Sequence, residues 1–194
     1  MTEPHSLDNT RAIERPVRRT SQQAIALGLL LGFAPVLDLP IGGANAIASQ
    51  QSAAARNKEI VTTAFDKWAA GGNTFFADVL TPDVVWTIEG WGPSAGRFTG
   101  RDVFVERAVR PFVSRLSTPV RPVSKTIWAD GNHVIINWKG EGVAADGAPY
   151  RNAYAWIFRM DAGKAVEVTA FLDLVPYDDV IRRIPAPSIG DRRP

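Results

Sequence analysis

"YRNAYAWIFRMDAGKAVEVTAFLDL", Tyr150 to Leu174, decides how this chain folds. Tyr150, Asn152, Tyr154, Trp156 and Phe158 occupy every second position, the period of a strand with one face turned inward. "DAGK" then supplies the Asp and Gly of a tight hairpin, and "AVEVTAFLDLV" resumes the alternation. The same period runs through "SKTIWA" and "HVIINWKGEGV" upstream, joined by the turns "DGN" and "ADGA". The region after Pro122 is therefore predicted to be a four-strand antiparallel meander. Lys139, Glu141, Arg151 and Arg159 read as a solvated strand face or as cross-strand pairs. His133 opens a strand after a turn and reads as an exposed edge residue.

Before Pro122 the period is helical. Ile60, Val61, Ala64, Phe65, Trp68 and Ala69 lie on one stripe, so a helix is predicted from Ala53 to the Gly71-Gly72 stop. Asn73 caps a short second helix, "TFFADVL". "DVVWTIE" reads as a strand, "GWGPSAG" as a turn, and "GRDVFVERAVRPFVSRL" as a third helix kinked at Pro111. Helices first and strands second is the α+β order. The expected architecture is a curved, mainly antiparallel sheet packed with about three helices around a conical cavity.

The chain has 194 residues, net charge +2 and no cysteine. That charge is too small for a dedicated nucleic-acid binder, which would carry a basic stripe. Disulfides, thiol catalysis and Cys-ligated metals are excluded. Two histidines, His5 and His133, cannot make a His-rich metal centre. No metal and no cofactor is implied.

The first 48 residues read as a leader. Arg11, Arg15, Arg18 and Arg19 precede the apolar run "AIALGLLLGFAPV", Ala24 to Val36, and "ANAIA" ends at Ala48 in a small-residue cleavage pattern. The run is shorter than the ~20 apolar residues a spanning helix needs. Arg18-Arg19 resembles a twin-arginine signal, with Ser21 where a hydrophobic residue is usual. A retained anchor or a buried amphipathic helix is the other reading. The expected organisation is a signal peptide over 1–48, a domain over 49–180 and a loose, proline-rich tail over 181–194. The mature protein is then periplasmic or secreted, with no stable membrane span.

Two carboxylates stand among apolar residues. Glu89 lies between Trp86, Ile88 and Trp91 at a strand end. It reads as a desolvated base facing the cavity, or as a solvated loop charge beside Arg97 or Arg101. Asp173 in "AFLDLV" lies either in a pocket or at the sheet end. Trp86, Trp91 and Trp138 are candidate cavity walls. Tyr154 and Asn152 are candidate polar groups on the inward face, where buried hydroxyls and amides need partners.

The order helix, helix, strand, glycine-rich turn, helix, meander resembles the SnoaL-like proteins of the nuclear transport factor 2 superfamily. The stretches that carry it are "FDKWAAGG", "LTPDVVWTIEG", "GRFTGRDVF" and the Tyr150–Leu174 hairpin, so it covers about Asn57 to Asp179. The resemblance implies a cystatin-like cone, a small-molecule ligand or substrate, and a homodimer. It also implies that Glu89 sits where ketosteroid isomerase holds its general base. Asp173 sits where SnoaL-like cyclases and limonene epoxide hydrolase hold a cavity carboxylate. Lys139-Gly140-Glu141 is a weakened copy of the hydrolase's Arg-x-Asp pair, which argues against epoxide opening. Two functional expectations follow. One is cofactor-free acid–base chemistry (isomerisation, cyclisation or dehydration), with Glu89 as base and Asp173 as second acid/base. The alternative is a non-catalytic ligand-binding or dimeric interaction module. An accessory role in a membrane or cell-wall complex is a third.

Overall fold

The computed structural model describes residues 41–186. The elements run α1 (Ile41–Ala69), α2 (Phe75–Val79), β1 (Leu80–Ile88), β2 (Gly96–Thr99), α3 (Arg101–Phe104), a π-turn (Val105–Val109) and α4 (Arg110–Val113). Then come β3 (Leu116–Asp130), β4 (His133–Ala144), β5 (Pro149–Asp161), β6 (Lys164–Leu172) and α5 (Leu174–Arg183). Residues 1–40 of the expected leader and residues 187–194 of the expected tail lie outside the described residues. Ile41–Ala48 form the start of α1, and Ala46–Ala48 are exposed. No helix among the described residues is long and apolar enough to cross a membrane.

One six-stranded sheet carries the molecule, in the order β2-β1-β6-β5-β4-β3. β3 to β6 form the expected antiparallel meander, and the hairpin that decides the fold pairs Tyr154 with Leu172 and Phe158 with Val168. β1 joins β6 in parallel, after a crossover through most of the chain. The glycine-rich turn after β1 does not lead directly into a helix. It opens a hairpin, and β2 returns along β1 with Trp86 opposite Phe98. Only then does the chain enter α3.

Alternation fixes the two faces of the sheet. Val134, Ile136 and Trp138 of β4 and Tyr150, Tyr154, Trp156, Phe158 and Met160 of β5 are all buried. Val61, Ala64 and Phe65 of α1 close over them. The outward rows hold Lys139, Glu141, Arg151 and Arg159, with surface ion pairs Arg151–Glu141 at 3.2 Å and Arg159–Glu167 at 3.0 Å. His133 is exposed at its turn, as expected.

Two helical features depart from the sequence reading. Pro111 does more than kink the third helix. It withholds the N–H that the Arg107 carbonyl would take, and the chain widens into a π-turn closed by Arg110 N–H to Val105 O. The segment after β6, given no helix in the sequence reading, is helical as far as Arg183. Asp173 caps α5 by accepting from Val175 N at 2.9 Å, and Leu174, Tyr177 and Val180 are buried. The cap at Asp173 followed by apolar residues at Leu174, Tyr177, Val180 and Ile181 is the sequence signal for this helix.

Candidate functional site

Between the helices and the inner sheet face lies a cavity of about 380 Å³, within the ~300–1,000 Å³ range of small-ligand sites. Its walls are aromatic. Trp138 and Tyr154, opposite each other on β4 and β5, stack at 3.9 Å and 8°. Trp86 of β1 stacks on Phe104 of α3 at 4.2 Å and 13°. Phe112 of α4 stacks on Tyr177 of α5 at 4.1 Å and 15°. Val105, Ala108 and Val109 of the π-turn line the same space. Gly140 makes the Trp138–Tyr154 stack fit: a Cβ there would meet both Trp138 and Val120 at 2.7 Å and Tyr154 at 3.2 Å.

The polar groups of the cavity are few. The Tyr154 hydroxyl lies 2.9 Å from the Tyr150 hydroxyl, and either can donate. Asn152 Nδ2 donates to Tyr150 Oη at 2.8 Å. Burial pushes the Tyr150, Tyr154 and Tyr177 phenols up, so they stay neutral at ordinary pH. Tyr177 donates to Ala108 O at 3.0 Å, tying α5 to the π-turn. No protein acceptor reaches the ring N–H of Trp86 or Trp138, both almost fully buried. A buried donor left unpaired costs about 1–3 kcal/mol.

The lining residues include no Asp, Glu or His. Of the residues singled out in the sequence, Trp86, Trp138 and Tyr154 meet in this cavity. The others require correction. Glu89 does not face inward. Val84, Trp86 and Ile88 take the buried positions of β1, and the next position on the opposite parity leaves Glu89 exposed. Only its backbone N–H is engaged, with Ala170 O at 2.9 Å. Trp91 is 99% exposed at the tip of the β1–β2 connection and is no cavity wall.

Asp173 is likewise exposed, and its carboxylate serves as the cap of α5. Asn152 is buried but does not line the cavity. Its amide donates to Tyr150 Oη and Asp173 O, and its oxygen accepts from Ala153 N and Asp173 N. All its hydrogen-bonding capacity goes into joining β5 to the β6–α5 junction. Lys139 and Glu141 point outward on either side of the inward Gly140, so no pair resembling Arg-x-Asp enters the cavity. Among the described residues no three His, Asp or Glu side chains cluster as a metal site. Sequence reasoning missed Trp68, Phe104, Phe112, Trp156, Tyr177 and Arg121 as lining residues.

The sequence model of the SnoaL-like domain matches residues 61–168. The chain belongs to the SnoaL-like family. A search of curated proteins finds no match. Among solved structures, the SnoaL-like chain superposes on Bal32a from a soil-derived mobile gene cassette with TM-score 0.56 and 17% identity, over 67% of this chain and 99% of that one. A candidate SnoaL-like polyketide cyclase from Jannaschia sp. CCS1 gives TM-score 0.52 and 19% identity, over 68% and 94%. A protein of unknown function with a cystatin-like fold from Xanthomonas campestris gives 0.53 and 21%, over 64% and 96%. At these identities the likeness establishes the α+β cystatin-like fold of the SnoaL-like domain and no activity.

Proposed function

We propose that this SnoaL-like protein binds a small, flat, largely apolar molecule that carries a hydrogen-bond acceptor. One observation carries the reading. The aromatic cavity has no carboxylate or imidazole among its lining residues, and the neutral Tyr154 hydroxyl can donate there. Asn152 donates to Tyr150. With Tyr150 in turn donating to Tyr154, the Tyr154 hydrogen is left for a carbonyl-type oxygen of the ligand. The binding-module alternative is therefore favoured over carboxylate acid–base catalysis, which needs a base within hydrogen-bond reach of the reacting atom.

Titration with the neutral aromatic ketone 2-acetylnaphthalene, followed by tryptophan fluorescence, tests this. Saturable binding that disappears when Val109→Trp fills the cavity is expected. Binding that survives that substitution would place the ligand elsewhere.

Two further parts of the reading concern assembly and location. A second copy is proposed to cover the outward sheet face, where Trp128, Ile135 and Phe171 are exposed by 52%, 39% and 46%. Trp128 and Ile135 are neighbours in one cross-strand row with Ile157. The basic, apolar and small-residue order of residues 1–48 supports export. Mass spectrometry of the exported protein is then expected to find Ser49 or Ile47 at the N-terminus, and an intact Met1 in the cytosol would contradict export.

A further inference from the structure

The cavity wall holds a single charged side chain, Arg121. It is half-buried on β3, where the β3–β4 register slips on both sides of Arg121–Pro122. That irregularity lets both Val120 and Arg121 line the cavity, although strict alternation would send one of them out. The guanidinium is fixed in place: Nη1 donates to Gly72 O at 2.8 Å and Nη2 to Gly71 O at 3.1 Å, just past the end of α1. Two of its five donors are spent there, and the others remain.

Among the described residues no carboxylate pairs with Arg121. Glu141, its cross-strand partner, pairs with Arg151 at 3.2 Å. Asp66, near the end of α1, pairs with Lys125. Asp78 pairs with Lys67 at 2.9 Å. Exposed Asn73, in the same lining, makes no side-chain hydrogen bond among the described residues. A positioned, half-buried guanidinium with free donors is suited to a planar anion, and a carboxylate matches its fork geometry.

We infer that Arg121 is an anion subsite, and that the ligand is an amphipathic aromatic acid whose flat body fills the cavity while its carboxylate meets Arg121. This rests on the reading that the cavity binds a flat small molecule. The rival is that Arg121 serves only to hold the carbonyls of Gly71 and Gly72.

Paired probes separate the two: 2-naphthoate, and its neutral methyl ester, each titrated against the full chain. The wild type is expected to bind naphthoate about tenfold tighter than the ester at low salt, the scale of charge-assisted hydrogen bonds. Added salt should shrink the gap. Arg121→Gln should lower naphthoate affinity about tenfold more than ester affinity, closing the gap between the two probes. Arg121→Lys should keep part of the preference, which decides the matter if the Gln variant fails to fold. Equal affinities in the wild type, or equal losses of both probes in a folded Arg121→Gln, would overturn the subsite. Failure of the ester itself to bind would overturn the cavity reading, and the subsite with it.

Discussion

At the residue scale, Tyr154 lines the aromatic cavity, on the inward face where the sequence put it, and Glu89 takes the solvated alternative of its two readings. The Tyr154 hydrogen is available there when Tyr150 donates to that hydroxyl. Tyr154→Phe removes that donor and keeps the ring on Trp138. Ketone affinity is expected to fall about threefold to tenfold, the worth of one net hydrogen bond. Glu89→Gln is expected to leave affinity within about twofold, since its side chain meets solvent. A large loss from Glu89→Gln with none from Tyr154→Phe would reverse the assignment. Glu89's outward direction was legible in "VVWTIE": once Trp86 and Ile88 are inside, a period of two puts Glu89 outside. The tryptophans around it suggested enclosure, but Trp91 stands beyond the strand end, where alternation no longer applies. The Arg121 position was not legible, because a slipped register overrides the period.

At the element scale, α5 and the π-turn complete the cavity. The π-turn depends on local backbone chemistry that apolar periodicity does not report, whereas α5 carries both a cap and an apolar stripe. The π-turn arises from one missing N–H at Pro111, and α5 begins at one carboxylate cap. Asp173 is accordingly expected to act on stability. Asp173→Ala should cost about 1 kcal/mol of folding free energy by loss of the cap. Asp173→Asn, which can still cap, should cost much less. Thermal unfolding of the two variants checks this. An Asn variant as unstable as the Ala variant would mean that the charge itself, and not capping, is what matters at this position. By contrast the meander after Pro122 was legible, because its strands alternate and its short turns carry Asp and Gly. The first half of β3, from Leu116, was not, because its register slips. β2 was missed because four residues leave too short a pattern to read.

At the scale of the whole molecule, burial of three phenols ties stability to alkaline pH. The Tyr150, Tyr154 and Tyr177 hydroxyls are held above their ordinary value of 10.0, desolvation being the main cause. A raised folded value means their contribution is fully present below pH 10. It is lost as pH rises above that, because the unfolded chain ionises first. The melting temperature should show no loss from these groups between pH 6 and 9 and should fall beyond pH 10. Tyr154→Phe should make that fall shallower. An unchanged slope would mean the hydroxyl is already open to ionisation in the folded protein.

The outward sheet face makes a second prediction at this scale. Light scattering of the wild type is expected to give a dimer, and Trp128→Lys with Ile135→Lys a monomer that still binds ketone. A monomeric wild type would leave that face without the proposed partner. The central claim is that the aromatic cavity binds its ligand with the Tyr154 hydroxyl as hydrogen-bond donor. A crystal structure of the complex with 2-acetylnaphthalene tests it most directly. The ring system is expected against the Trp138–Tyr154 stack, with the ketone oxygen about 3 Å from Tyr154 Oη. A ketone bound outside the cavity, or one whose oxygen meets a carboxylate swung inward, would contradict it.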